Sequence, residues 1–330
     1  MLLKTYNQRS HKPMTYATSL PLPDDIAGDL AEVEQIITVR MNARPIVAQT
    51  ANAAMRDADK LRLRAALVML AARLGRYDTR RVVHAAAAAE LIHSATTVHD
   101  SLINEAARRR GKPVGDQHWN GDVALMSGDY LLALAAAEMA LAPDARIIGM
   151  YSRVVMAFCE GKLAPVTVIN PLDQALAQHE FVAESRTAAL LEAAARVGVV
   201  CGSGDDALGD LLGPFGRALG MALHIAIEAR DYEMGGSDAG RDLRAGRITL
   251  PLIYAAHAEG GAGLATVIDQ HPLDARHAAE VIARVRRDGV PPARARAQQY
   301  VQQAIETLTA LPPGATRDAL AALADRVAAM

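Results

Sequence analysis

Two sets of polar residues stand at helical spacing inside otherwise apolar sequence. Between Val82 and Arg108, the residues Glu90, His93, Thr97, Asp100 and Asn104 recur every three or four positions, which places them on one face of a helix. Between Phe215 and Tyr232, His224, Glu228 and Asp231 follow the same spacing. The first segment is apolar nearly all round, and such a helix is usually buried among others. Its polar groups must face a partner, water or a ligand, because an unsatisfied buried polar group is costly. Either the stripes hydrogen-bond to one another across a helix pair, or they line a polar cavity. Taken together they point to a cavity inside a helix bundle, where facing side chains build ligand sites. The spacing of His224, Glu228 and Asp231 also permits a metal ion.

A third set is basic: Arg62, Arg64, Arg109, Arg110, Lys112, Arg186, Arg244 and Arg247. Several stand next to loop signals. Arginine is the preferred fork for phosphate oxygens, so this set is a candidate anion site. Taken singly, most of these arginines read better as solvated surface charge.

The elements that must hold these residues are helices. Ala is abundant while Val, Ile and aromatic residues are sparse, which favours helix over sheet. Gly and Pro cut the chain at Gly75 to Thr79, Gly111 to Gly115, Leu141 to Asp144, Pro165 to Asp173, Cys201 to Asp205, Gly235 to Gly246, Gly260 to Gly263, Gly289 to Pro292 and Pro312 to Gly314. The blocks between are mostly long, with no strand-type alternation and no internal repeat. The expected architecture is all-α, a single large helical bundle with a central cavity. Residues 1–24 read as a flexible N-terminal arm, polar and dotted with proline, and residues 25–330 as one domain. The charged segment from Pro272 onward reads as a surface layer.

The 330 residues, 51% of them apolar, suffice for a large core. Lys plus Arg (35) nearly balance Asp plus Glu (37), which removes any global pull toward nucleic acid or anionic lipid. No apolar run reaches the roughly 18–20 residues that span a bilayer, so no membrane span is expected. Cys159 and Cys201 make no disulfide framework and no metal-ligand spacing, and a reducing cytoplasm is the expected compartment.

The segment Glu90 to Pro113, ELIHSATTVHDSLINEAARRRGKP, resembles the first signature region of the trans-polyprenyl diphosphate synthases. The resemblance continues at Gly128-Asp129-Tyr130-Leu131-Leu132, at Glu160-Gly161, at Arg186-Thr187-Ala188 and at Asp242-Leu243-Arg244-Ala245-Gly246-Arg247-Ile248-Thr249-Leu250-Pro251. These pieces keep the family's order and spacing from residue 59 to 255. The resemblance implies the isoprenoid synthase fold, a dimer, and condensation of isopentenyl diphosphate with an allylic diphosphate. It also implies Mg2+ ions held by two Asp-Asp-x-x-Asp motifs on facing helices, where they stabilise the departing diphosphate.

The sequence departs from that pattern at the metal positions. The first motif reads Asp100-Ser101-Leu102-Ile103-Asn104 and the second Ile227-Glu228-Ala229-Arg230-Asp231. Asp100, Asn104, Glu228 and Asp231 remain as candidate ligands, a poor set for ions that want oxygen donors in octahedral geometry. His224 replaces the usual glutamine, and Ser237 a lysine. The anion positions are better kept. By resemblance, Arg109, Arg186 and Arg247 grip the allylic diphosphate, both lysines of the family being replaced by arginine. Arg110, Arg64 and His93, with Arg62 beside them, correspond to the isopentenyl diphosphate site, whose lysine position falls on Leu61 beside Lys60. Asp100, Asp231, Arg109, Arg186 and Arg247 are the expected catalytic set. Ala95, where the family uses a bulky aromatic to stop chain growth, leaves room for a long chain. Glu105, Asp129, Tyr130 and Asp242 are expected to be structural.

Three functions follow. The chain is an inactive or weak isoprenyl-diphosphate-binding subunit, as a homodimer or paired with an active synthase; or a prenyltransferase with a modified metal site, in which Arg230 and the Lys-to-Arg changes supply part of the missing charge or His224, Glu228 and Asp231 hold a different metal; or a carrier for an unrelated isoprenoid or lipid.

Overall fold

The computed structural model describes residues 20, 22–54, 62–109, 121–236, 239–258, 263, 264 and 273–330, with residues 52–54, 101–109 and 121 described by backbone only. Long Ala- and Leu-rich stretches lose little side-chain entropy in a helix, and these become the elements. They are α1 (Asp24–Asn42), α2 (Pro45–Ala54), α3 (Leu63–Ala72), α4 (Thr79–Arg109), α5 (Gly121–Leu141), α6 (Arg146–Leu163), α7 (Leu172–Ala183), α8 (Ala189–Gly202) and α9 (Asp206–Glu233). After a short α10 (Arg241–Arg244) come α11 (Leu250–Ala258), α12 (Ala275–Arg284), α13 (Val290–Thr307) and α14 (Ala315–Ala328). No strand occurs among the described residues. The all-α expectation holds.

α4 runs through the middle, between α5, α3, α1 and α8. Its run Ala85 to Ala89, with Leu91, Ile92, Ala95 and Val98, is buried, and the small side chains let neighbouring helices approach closely. α9 packs along α8 on one side and α13 on the other, so the two polar stripes sit on central helices. Asp205 caps α9, its Oδ1 accepting from the amides of Ala207 (2.9 Å) and Leu208 (3.4 Å). A second, smaller apolar cluster joins Tyr232, Leu243, Ile248, Leu252, Ile253, Ile282 and Val285 beneath the C-terminal end of α9.

Between α7 and α8 the helix widens into one π turn, Glu184–Ala188. It is wedged between two glycines. A Cβ on Gly161 of α6 would lie 2.7 Å from the Ser185 Cβ, and one on Gly220 of α9 would lie 2.4 Å from the Ala188 Cα. That close approach fixes the direction in which Arg186 and Thr187 leave the backbone.

Three expectations need correction. Gly289 to Pro292 is no break: a π turn, Val285–Gly289, runs straight into α13. Pro291 and Pro292 stand directly after that π turn, in which the Val290 amide donates back to the Val285 carbonyl, so the register shift falls where the prolines cannot donate. The C-terminal helices are more than a surface layer, since Val301, Ala304, Leu320, Leu323 and Val327 belong to the main core. One helix, Asp122–Leu141, is long and apolar enough to cross a membrane by length and composition alone. It packs against α4, and its Glu138 is buried and holds Arg40 Nε and His84 Nδ1 at 2.7 Å each. The break at Gly111 to Gly115, residues 260–262 of the break at Gly260 to Gly263, and residues 1–19 and 21 of the N-terminal arm lie outside the described residues.

Cys201 is buried and Cys159 exposed. Burial pushes the Cys201 thiol up to about 12, so it has little thiolate to offer. A thiol reagent should therefore modify Cys159 alone in the folded chain, and Cys201 only after denaturant is added; titration of free thiols checks this.

Candidate active site

The two stripes do face a common space. A cavity of about 420 Å³ opens between α4, α6, α7, the π turn, α9 and the segment leading into α11. From α4 it takes His93, Thr96, Thr97 and Asp100, and from α9 His224, Ile227 and Glu228. Its charged walls hold four cations, Arg64, Lys162, Arg186 and Arg247, against three carboxylates, Asp100, Asp242 and Glu228. Phe158, Pro165, Val166, Val182 and Ile248 give it an apolar side. A polar, cation-rich end beside an apolar wall matches a ligand with an anionic head and a hydrocarbon tail.

Asp100 is held by two cations at once. Lys162 Nζ contacts its Oδ1 and an Arg186 Nη contacts its Oδ2. Burial lowers the proton affinity of Lys162, and Asp100 recovers part of that. Arg247 is joined to Asp242, which more than reverses the effect of its own burial. The loop carrying both is closed by the Arg247 amide donating to the Asp242 carbonyl at 2.9 Å.

Glu228 is buried beneath the cavity. His179 Nε2 lies 2.8 Å from its Oε2 and His224 Nε2 lies 3.4 Å from its Oε1. The Leu250 amide donates to Oε2 at 3.0 Å. Burial alone would raise the proton affinity of this carboxyl; His179 and then His224 outweigh it and keep the group ionised well below the usual carboxylate range.

Several expected residues stand elsewhere. Asp231 is not among the cavity-lining residues. Its carboxylate accepts from Arg241 Nε (3.1 Å) and from the Asp242 amide (3.0 Å), pinning the loop after α9 to the helix end. Burial and the neighbouring Asp242 raise its proton affinity, which weakens it as a metal ligand. Arg62 is also outside the cavity wall: its Nε donates to Glu34 at 2.6 Å and an Nη lies 3.7 Å from Glu90. Glu90, the first member of the α4 stripe, accepts from the amides of Arg64 and Ala65 at 3.0 Å each and so caps α3. Arg230 does not enter the cavity either, and its electrostatic neighbours are Arg294, Arg326, Arg241 and Glu233. The cation that stands beside Asp100 from α6 is Lys162, not Arg230. Ala95 is buried in the core. Arg64, His93, Arg186 and Arg247 line the cavity as expected. Lys60, Leu61, Arg110, Lys112 and Ser237 lie outside the described residues, as do the side chains of Asn104, Arg109 and Glu105.

Sequence reasoning missed His179, Lys162 and Thr187 as cavity residues. Lys162 carried a signal: it is the only lysine among the described residues and directly follows Glu160-Gly161. His179 carried none, because it stands on another helix, far from both stripes in sequence.

Magnesium wants several oxygen donors at about 2.0–2.1 Å in near-octahedral array. Among the described residues the donors do not fit a cluster of such ions. Both Asp100 oxygens are engaged by cations, Glu228 by imidazoles and an amide, and Asp231 points to the loop. Ile227, 47% exposed, presents a hydrocarbon in the α9 wall of the cavity.

Comparison with known proteins agrees with the architecture. The chain is 30% identical over 303 residues to the heptaprenyl diphosphate synthase component 2 of Geobacillus stearothermophilus, covering 91% of this chain and 95% of that one. The crystal structure of a decaprenyl diphosphate synthase from Rhodobacter capsulatus superposes with a TM-score of 0.78 at 28% identity, over 93% of this chain and 97% of the other. A polyprenyl synthase from Caulobacter crescentus, complexed with calcium and isoprenyl diphosphate, gives 0.79 at 28% identity over 93% and 96%. The polyprenyl synthetase family pattern matches residues 45–285, from the start of α2 into the π turn before α13, and thus takes in every wall of the cavity. On that match and these likenesses, the chain belongs to the polyprenyl synthetase family.

Proposed function

We propose that the chain binds isoprenyl diphosphates and acts as a catalytically weak or inactive subunit, as a homodimer or beside an active prenyl diphosphate synthase. The observation that carries this reading is the placement of Asp100 between Lys162 and Arg186. A carboxylate neutralised by two fixed cations is a weak ligand for a third. The same cations, with Arg247 and Arg64, suit a diphosphate head, while Phe158, Val166, Val182 and Ile227 suit a prenyl tail. Similarity to a chain named as component 2 of a synthase supports pairing with an unlike partner. The unpaired cysteines suit a reducing cytoplasm.

A second reading, an active prenyltransferase with a modified metal site, is favoured by the convergence of His179 and His224 on Glu228. A condensation assay separates the two. Labelled isopentenyl diphosphate is given with short and long allylic primers, with and without magnesium, and diphosphate binding is followed in parallel. The first reading expects binding without product. Robust magnesium-dependent product overturns it. In the same titration Arg186→Ala should weaken diphosphate binding about tenfold, the usual loss for one charge-assisted contact.

A further inference from the structure

Three ligating atoms from two separate stretches of the chain meet at one wall of the cavity. His179 of α7, with His224 and Glu228 of α9, offer one nitrogen, one nitrogen and one oxygen that all lie within 4.8 Å of one another. We infer that these residues form a mononuclear site for a divalent transition ion of the zinc or cobalt class, distinct in chemistry from an all-oxygen magnesium site.

The donor set decides the class. Two imidazoles and one carboxylate are the ligands that borderline ions prefer, and they disfavour magnesium and calcium, which take oxygen. In a tetrahedral site with bonds of about 2.0–2.1 Å, ligand atoms stand about 3.4 Å apart. The Glu228 oxygens already stand 2.8 and 3.4 Å from the two Nε2 atoms, so small side-chain rotations complete the triangle.

The surroundings are those of a ligand site rather than of a chance contact. The far nitrogen of His224, Nδ1, lies 2.8 Å from Thr187 Oγ1 on the π turn. Such an outer contact fixes which nitrogen of an imidazole is free to ligate. Glu228 is anchored from behind by the Leu250 amide, and the two rings meet edge to face with centroids 5.7 Å apart. Thr187 owes its position to the π turn wedged at Gly161 and Gly220, and such turns recur at functional sites. All three ligands line the cavity, so the fourth coordination position opens onto the space where Arg186 and Arg247 stand. A phosphate oxygen or a water would fill it.

Cobalt(II) is the probe, because its visible absorption reports coordination without any turnover. The full-length chain, stripped with a chelator, should take up one equivalent and show the intense bands of a four- or five-coordinate site. A large excess of magnesium should leave them unchanged. His179→Ala and His224→Ala should each weaken cobalt binding by at least about 30-fold, and Thr187→Val by about tenfold, within the range of ligand-shell losses. His277→Ala, on an exposed histidine that pairs with Asp274 at the start of its own helix, should bind as the parent does. Inorganic pyrophosphate should shift the bands by occupying the open position. Far-UV circular dichroism of each variant separates ligand loss from unfolding, and the magnesium competition needs no variant. The inference is overturned if the folded parent binds no cobalt, if magnesium displaces it at comparable concentration, or if loss of both histidines leaves binding intact. Because the spectrum is read before any diphosphate is added, this outcome is independent of the diphosphate titration proposed above.

Discussion

Asp100→Asn should tighten diphosphate binding, by about 10- to 100-fold, and should do so without magnesium. In the parent chain the Asp100 carboxylate neutralises Lys162 and Arg186 within the cavity. An incoming diphosphate must compete for those two cations and also approach a fixed negative charge. At an effective dielectric of about 20, a unit charge about 5 Å away is worth about 3 kcal/mol, and partial screening at the cavity mouth brings this to about 1–3 kcal/mol. Converted to a dissociation constant, that is the expected range. Asparagine keeps the size and one oxygen acceptor, so the packing of α4 is not disturbed. Isothermal titration with inorganic pyrophosphate, with and without magnesium, reads the effect. The opposite sign is the informative failure. If Asp100 holds a metal that in turn holds the diphosphate, the substitution weakens binding in magnesium, and the reading of the cavity as a bare cation socket falls.

The helices and the cavity were legible because their signals are local or periodic. The α4 stripe stands every three or four residues, and His93, Thr97 and Asp100 all reach the cavity. The stripe could not tell where the cavity ends. Glu90 keeps the spacing yet turns to the start of α3, a contact set by how α3 docks on α4 rather than by anything within α4. Asp231 fails for a related reason. It stands at the last turn of α9, where unpaired groups of the following loop compete for it, and the Asp242 amide and Arg241 win. Lys162 reaches the site through the packing of α6 against α4 and the π turn, and His179 through that of α7 against α9, and no periodicity on their own helices predicts that. The π turns escaped because they leave the apolar pattern almost unbroken while adding a residue to the turn.

Glu90 bears the largest structural consequence of a single change. It is fully buried, and one oxygen accepts two amides at the N-terminus of α3, Arg64 and Ala65, at 3.0 Å each. The other oxygen faces an Arg62 guanidinium nitrogen at 3.7 Å. Arg62 adopts a left-handed backbone, φ 52°, that a side-chain residue rarely takes up unaided, so its pairing with Glu90 and Glu34 helps hold that conformation. Glu90→Ala strips two buried amides of their acceptor and leaves a largely buried cation with one partner. Removing one member of such a network costs about 3–5 kcal/mol. For a chain of 330 residues the melting entropy is about 0.7 kcal/mol/K, so Tm should fall by about 4–7 °C. Glu90→Gln retains an oxygen for the two amides but turns a donor toward Arg62, and about half the loss should remain. Scanning calorimetry of the two variants checks both steps. Arg64 also lines the cavity, so a disordered α3 start should weaken diphosphate binding together with stability in Glu90→Ala. A variant that lost binding but kept its Tm would instead place Glu90 in direct contact with the ligand.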